Sequence, residues 1–236
     1  QIATGDAELI IASGVESMTR APFVMGKSNT AFDRQTSFFD TTLGWRFINP
    51  RLAAQYPPFT MGETAENVAR QWKISREDQD AFAFSSQQKY FAAKEADRWA
   101  EEIQPVEQVE KGMITWFTHD EHPRNTTTEK LASLQPAFVK DGTVTAGNAS
   151  GINDGAAAVV VMSAKKAAAL GLKPLARIAA FGTSGLDPAT MGMGPVPASQ
   201  KALQRAGWKA SDIDLFELNE AFAAQACAVN KALDID

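Results

Sequence analysis

The segment Leu215-Phe216-Glu217-Leu218-Asn219-Glu220-Ala221-Phe222-Ala223-Ala224-Gln225 carries the change of texture on which the fold assignment turns. An apolar, strand-like run gives way at Asn219 to an alanine-rich run with helical spacing, so Asn219 is predicted where a strand end meets a helix start. In open α/β sheets, ligands bind outside the carboxyl ends of strands, where the first N–H groups of the next helix point outward. Helix capping accounts for the same residues, because Asn is a good N-cap and Glu220 suits the positive end of the helix dipole. On its own the segment predicts α/β structure and a junction, but no reaction.

Working back from it, residues 197–206 read as a helix with Pro at its start and Gly207 past its end, and residues 175–181 as a strand. Ser163 is placed to cap a helix ending at Gly171, and residues 156–162 form a hydrophobic strand with Ala and Val on both faces. Before them the chain is rich in glycine from Gly142 to Gly155. At the opposite end, residues 1–4 followed by Gly5 read as a helix end with its glycine cap, and residues 7–12 as a buried strand ending near Gly14. Because Gln1 rather than Met opens this helix tail, a further segment is expected ahead of it.

The middle has a different texture. Prolines and scattered aromatics over residues 18–58 predict irregular structure packed by large side chains. A helix is expected over residues 63–72 and another after Ser75, where Ser75-Arg76-Glu77-Asp78 has the capping-box spacing and Ala81, Phe84, Gln88 and Phe91 would share one face. Residues 101–117 are weakly strand-like, and residues 126–134 suit a short helix. The pattern is an α/β core with a large insertion.

Bulk properties narrow the partners. A formal net charge of -5, from 23 basic and 28 acidic residues, with no basic cluster, argues against a nucleic-acid footprint. The longest uncharged apolar stretches, such as residues 155–162, fall well short of the roughly 20 residues that span a bilayer. A single cysteine, Cys227, permits no intrachain disulfide, which fits a reducing compartment such as the cytoplasm. His119-Asp120-Glu121-His122 is followed by Pro123 and lacks further ligand spacing, so it reads as a solvated loop and no metal site is expected.

Three segments combine: residues 145–156 (Thr-Ala-Gly-Asn-Ala-Ser-Gly-Ile-Asn-Asp-Gly-Ala), residues 194–199 (Gly-Pro-Val-Pro-Ala-Ser) and Asn219-Glu220-Ala221-Phe222-Ala223-Ala224-Gln225. Together they resemble the thiolases, the acetyl-CoA C-acyltransferase family, with further agreement at residues 14–22, 62–69 and 206–208. The resemblance implies an α/β thiolase fold: two similar, layered α/β halves with a large inserted loop domain. Residues 1–21 and 152–173 would belong to the first half, 22–151 to the inserted domain and 174–236 to the second half. It also implies that the chain is the middle of such a protein, with the reactive cysteine ahead of Gln1 and the Gly-His-Pro histidine and second cysteine beyond Asp236.

Family chemistry requires that a cysteine take up the acyl group and a histidine activate it, because a thiolate both attacks and leaves readily in thioester exchange. Cys227 falls at a position where the family's reactive cysteine is not found and is expected to be structural. By resemblance, Asn219 holds a water that helps stabilise the enolate during carbon–carbon bond making. Ser150 lies where family members contact the pantetheine arm of CoA, and Ala146 and Ala149 let the arm lie close; the glycines around them could equally serve close packing. Phe138 and Met61 match apolar positions of the same tunnel, and Phe222 one beside the acyl group, although apolar residues also build cores. Arg124 lies where members place a basic residue near the CoA nucleotide.

CoA and acetyl-CoA thus enter as substrates, with no permanently bound cofactor, and a homodimer or homotetramer is implied. Thr60 stands where several acetoacetyl-CoA thiolases carry a histidine, and residues 44–50 look more like degradative members, including the 3-oxoadipyl-CoA type. Two other readings use the same residues: an inactive CoA-binding or oligomerisation fragment, and a thiolase-like lipid-transfer relative. The intact Asn219-Glu220-Ala221-Phe222 run argues against the second.

Overall fold

The computed structural model describes residues 1–28 and 30–235. Its first elements are β1 (Leu9–Glu16), β2 (Phe23–Met25), β3 (Phe38–Asp40), α1 (Pro50–Gln55), α2 (Met61–Trp72) and α3 (Arg76–Glu95). There follow β4 (Val106–Glu110), β5 (Met113–Phe117), α4 (Thr128–Ala132), β6 (Gly155–Met162), α5 (Ala164–Ala169), α6 (Pro195–Ala206) and α7 (Ala223–Leu233). Two compact units are formed. Residues 1–60, 152–184 and 197–212 make one, and residues 61–151, 185–196 and the segment from Ile213 onward make the other.

In the first unit, β1 pairs antiparallel with β6 along its whole length, Leu9 opposite Met162 and Glu16 opposite Gly155. At the end of this ribbon Ser163 caps α5, its hydroxyl accepting from Lys166 N at 3.1 Å, and the chain turns away at Gly171 with φ +66. The expected helix end at the N-terminus is a turn with the same bonding pattern: Asp6 N donates to Gln1 O and Gly5 N to Ile2 O. Thr19 holds the ribbon's entry loop. Its backbone N–H and its hydroxyl donate to the two carboxylate oxygens of Asp154, at 2.9 and 2.7 Å, and keep that carboxyl below its ordinary range.

Two expectations for this unit fail. Residues 7–12 were to be a buried strand, but Ile11 and Val15 in β1 and Val159 and Val160 in β6 are exposed. Among the described residues the sheet has two strands, and a ribbon that narrow leaves apolar side chains open unless another layer packs on it. Residues 175–181 form no strand, because pairing needs a neighbour with free ladder groups and apolar character alone supplies none. Helix α6 holds them instead: Lys201 Nζ donates to Thr183 O at 2.7 Å, and Arg205 Nη1 donates to Phe181 O at 2.7 Å. The Arg205 guanidinium also lies 5.6 Å from the centre of the Phe181 ring.

Residues 18–58 are mostly irregular, as expected. Phe39 and Phe47 meet edge to face at 5.2 Å, and Trp45 Nε1 donates to Phe59 O. Among the described residues of this stretch, regular structure is confined to the β2–β3 hairpin, helix α1 and a 3-10 turn at Met18–Arg20.

The second unit is built on helices. In α2, Val68 packs with Met193 and with Ala228, Val229 and Leu233 of α7, while Ala65 and Ala69 pack with Val144 and Ala224. Small residues on α2 and α7 let these helices approach closely, and Val68 and Val229 are completely buried. The capping box on α3 is complete: Asp78 N donates to Ser75 Oγ at 3.0 Å and Ser75 N donates to Asp78 Oδ2 at 3.1 Å. Within residues 101–117 the chain forms the β4–β5 hairpin from Val106 to Phe117, and α4 falls within the stretch expected to be a short helix.

The face proposed for α3 is displaced. Ala81 and Gln88 are exposed, and Gln79 and Asp80 are the residues sealed in. A search for apolar spacing passes over these two because hydrogen bonds permit their burial: Gln79 Nε2 donates to Thr143 Oγ1 at 3.0 Å, and Asp80 Oδ1 accepts from Asn148 Nδ2 at 2.9 Å.

Candidate active site

Residues 215–218 form no strand, and α7 begins at Ala223 rather than at Asn219. Phe222 takes the capping position in an extended conformation, φ -145 and ψ 137, and its side chain makes no capping bond. The reason lies 73 residues back in the chain, at Ala149. Ser150 N donates to Ala221 O and Ala223 N donates to Asn148 O, both at 2.9 Å, so that Ala149 and Phe222 form an antiparallel bridge. Backbone groups that would have extended the helix toward Asn219 are used to bind the glycine-rich loop instead.

That loop is held from below by three polar side chains. Glu66 on α2, itself buried, accepts from Thr143 N at 2.7 Å, Val144 N at 2.8 Å and Thr143 Oγ1 at 3.0 Å. Gln79 reaches the same threonine. Asn148 turns inward, its Oδ1 accepting from Thr145 N at 2.8 Å while Nδ2 donates to Asp80 Oδ1 and to Thr143 O. Arg76 Nε donates to the other Asp80 oxygen at 2.7 Å, and Arg76 Nη2 donates to the carbonyls of Leu131 and Leu134.

Beside the bridge lies a cavity of about 270 Å³. Met61, Thr64 and Ala65 of α2 form one wall, and Met191, Gly192 and Pro195 another. Leu218, Asn219, Ala221, Phe222 and Gln225 close it. The lining is mostly apolar. Thr64 turns its hydroxyl to Met61 O, and Asn219 and Gln225 are the other lining residues with polar side chains. A mostly apolar pocket with a few convergent polar groups is the usual form of a small-molecule site.

Residues 1–165 match the thiolase N-terminal domain and residues 172–236 the thiolase C-terminal domain. The chain belongs to the thiolase family. It is 55% identical over 236 residues to the beta-ketoadipyl-CoA thiolase of Escherichia coli, a match covering 99% of this chain and 59% of that protein. To the acetyl-CoA acetyltransferase of Shinella zoogloeoides it is 51% identical over 238 residues, covering 100% of this chain and 59% of the relative. The crystal structure of the Bacillus anthracis acetyl-CoA acetyltransferase superposes with a TM-score of 0.87 at 43% identity, over 100% of this chain and 59% of that one. The fold is therefore the α/β thiolase fold, and the chain spans 59% of the length of these relatives.

The thiolase segments singled out in the sequence are brought together unevenly. Met61, Asn219 and Phe222 share the cavity wall. Phe138 stands against Phe222 edge to face, ring centres 6.0 Å apart, and Gly62 makes room for it: a Cβ there would lie 2.1 Å from the Phe138 ring. Ala149 and Phe222 both pack against the buried cluster of Ala65, Ala69, Val144 and Ala224. Ser150 is exposed and joined to the site through its backbone, and Ala146 is exposed just before Asn148. Arg124 is not among the cavity residues. Its guanidinium donates to the carbonyls of its own loop, Glu121, His122 and Pro123.

Thr64, Met191 and Gln225 were not singled out as site residues, although Gln225 closes the Asn219 segment and Met191 stands three residues ahead of the Gly194 segment. Asp80 and Asn148 were also missed, and no local signal marks them, since their partners are distant in sequence. His119 stacks on Phe117 at 5.6 Å. Among the described residues no group of three or more His, Cys, Asp or Glu is placed to hold a metal ion, and no helix is long and apolar enough to cross a membrane.

Cys227 lies on α7, half-buried, with Sγ 4.0 Å from Asp78 O. Burial, and then the negative charge of Asp78, push its thiol up to about 11. The shift is opposite to that of an activated nucleophile. A raised value keeps the thiol protonated through neutral pH, so the Cys227 peptide should remain unalkylated by iodoacetamide at pH 8 and be labelled only as the pH approaches 11. Rapid labelling at pH 8, read by peptide mass mapping, would contradict this environment.

Proposed function

We propose that the protein carrying this chain is a thiolase enzyme that transfers acyl groups between CoA thioesters, by thiolytic cleavage of a 3-oxoacyl-CoA or by the reverse condensation of acetyl-CoA. The observation that carries this reading is the pairing of the Asn148–Ser150 and Ala221–Ala223 backbones beside an apolar cavity bearing Asn219. In it, the pantetheine arm runs along the loop at Ser150, Ala146 and Ala149, and the acyl end enters between Met61, Phe138 and Phe222. Asn219 holds the water that donates to the thioester oxygen as negative charge develops there. The acyl group is carried on a cysteine outside residues 1–236, and Cys227 remains a packing residue. Arg124 serves the CoA nucleotide once it exchanges its loop carbonyls for phosphate.

Among substrates, a 3-oxoadipyl-CoA type is favoured. A relative of that name shares 55% identity, and Thr60 stands in place of the histidine of the acetoacetyl-CoA type. Residues 1–21 and 152–173 belong to one thiolase half, 22–151 to the inserted loop domain and 174–236 to the second half. The enzyme is a cytoplasmic homodimer or homotetramer.

Incubation of the intact protein with CoA and either 3-oxoadipyl-CoA or acetoacetyl-CoA tests the function. Loss of the 3-oxoacyl-CoA is expected with release of one acetyl-CoA per 3-oxoadipyl-CoA and two per acetoacetyl-CoA, and faster for the longer substrate. No acetyl-CoA from either substrate would refute the proposal.

A further inference from the structure

We propose that Asn148 and Asp80 are positioning residues for CoA, acting through the loop rather than by touching the substrate. The inference rests on the thiolase reading above and adds the device that fixes Ser150 against the Ala221–Phe222 segment.

Asn148 is 3% exposed and Asp80 6%, so both are sealed under the loop. The Asn148 side chain satisfies both ends of its amide within the protein: Oδ1 closes the Thr145–Asn148 turn, and Nδ2 is split between Asp80 Oδ1 and Thr143 O. Its backbone carbonyl accepts from Ala223 N, at the first turn of α7. One residue therefore joins α3, the loop and the start of α7. From there the chain passes to Ala149, bridged to Phe222, and to Ser150, whose N–H is fixed on Ala221 O. Rotation of the Asn148 side chain out of this position would release the 145–150 turn and the two backbone bonds that register Ser150 with Phe222.

Asp80 gives Asn148 its direction. An amide offers oxygen and nitrogen ends of nearly equal shape, and a buried one adopts the orientation its partners select. The Asp80 carboxylate, paired on its other oxygen with Arg76, is acceptor-only. It admits the Nδ2 end and rejects the Oδ1 end, so the Oδ1 end faces Thr145 N. Neutralising Asp80 while keeping an oxygen preserves this selection only in part, because a carboxamide can present either end.

The test is steady-state kinetics on the intact protein with four changes. Asn148→Ala should raise the KM for CoA tenfold or more while kcat falls less than threefold, because the loop is displaced but the groups that act on the acyl carbon remain. Asp80→Asn, the conservative change, should give an intermediate rise of about threefold. Asn148→Ser, which keeps a hydroxyl for the turn but does not reach Asp80, supplies the same comparison should the alanine variant fail to fold. Ser75→Ala, which removes the cap bond from Asp78 N and touches no loop bond, should lower the melting temperature with KM unchanged. If KM stays within twofold in the Asn148 variants, or if Ser75→Ala raises KM in proportion to its loss of stability, the residues only support the fold and the proposal fails. Absence of thiolysis in the unaltered protein would instead remove the underlying functional reading.

Discussion

Replacing Asn219 with alanine should lower thiolase turnover by roughly 10²-fold or more, the usual cost of losing one preorganised donor to a developing oxyanion. The effect should fall on kcat, with KM for CoA changed little, because the water proposed for Asn219 would interact most strongly once charge has moved onto the thioester oxygen. Position supports this expectation. Asn219 lies on the cavity wall beside Phe222, and the segment carrying it is tied by backbone bonds to the loop bearing Ser150. Asn219→Asp, which presents an acceptor where a donor is needed, should be no better. Full turnover in the alanine variant would remove Asn219 from the mechanism while leaving the family assignment intact.

A second large effect is expected on stability. Glu66→Ala would leave Val144 N, on a completely buried residue, and Thr143 N without their acceptor. Each buried N–H so abandoned costs about 1–3 kcal/mol, and the hydroxyl bond from Thr143 adds to it. A loss of roughly 3–5 kcal/mol follows, corresponding to a fall in melting temperature on the order of 10 °C for a domain of this size. Glu66→Gln keeps one acceptor oxygen and should lie between the two. Thermal unfolding followed by circular dichroism measures it, and a fall of less than about 2 °C for the alanine variant would mean that the loop is held from elsewhere.

These residues mark where sequence reasoning succeeded and where it failed. Helix α3 was legible to its capping bonds because Ser75 and Asp78 are neighbours in sequence and the bond pattern is local. The β1 and β6 strands were legible as runs of branched and small apolar residues. Their burial was not, since burial depends on what packs across them. Residues 175–181 and 215–218 have the composition of strands but no ladder partner among the described residues, and composition alone cannot supply one. Asn219 was expected where a strand meets a helix, and it stands instead in irregular chain four residues ahead of α7. The extended backbone of Phe222 is dictated by Ala149 in another part of the chain, so no local rule would have moved the helix start to Ala223. Asp80 and Asn148 were invisible for a related reason: each is polar, and its burial is made possible by a partner 68 residues away.

The bridge between Ala149 and Phe222 has a consequence for how such a site can change over evolutionary time. Its two flanking bonds run from main chain to main chain, Ser150 N to Ala221 O and Ala223 N to Asn148 O, so they are indifferent to which side chains stand at positions 149 and 222. The Phe222 side chain lines the cavity and can be exchanged without undoing the joint that holds it. A lineage could therefore reshape the cavity by swapping the residue at position 222, with the polar anchors beneath the loop left untouched.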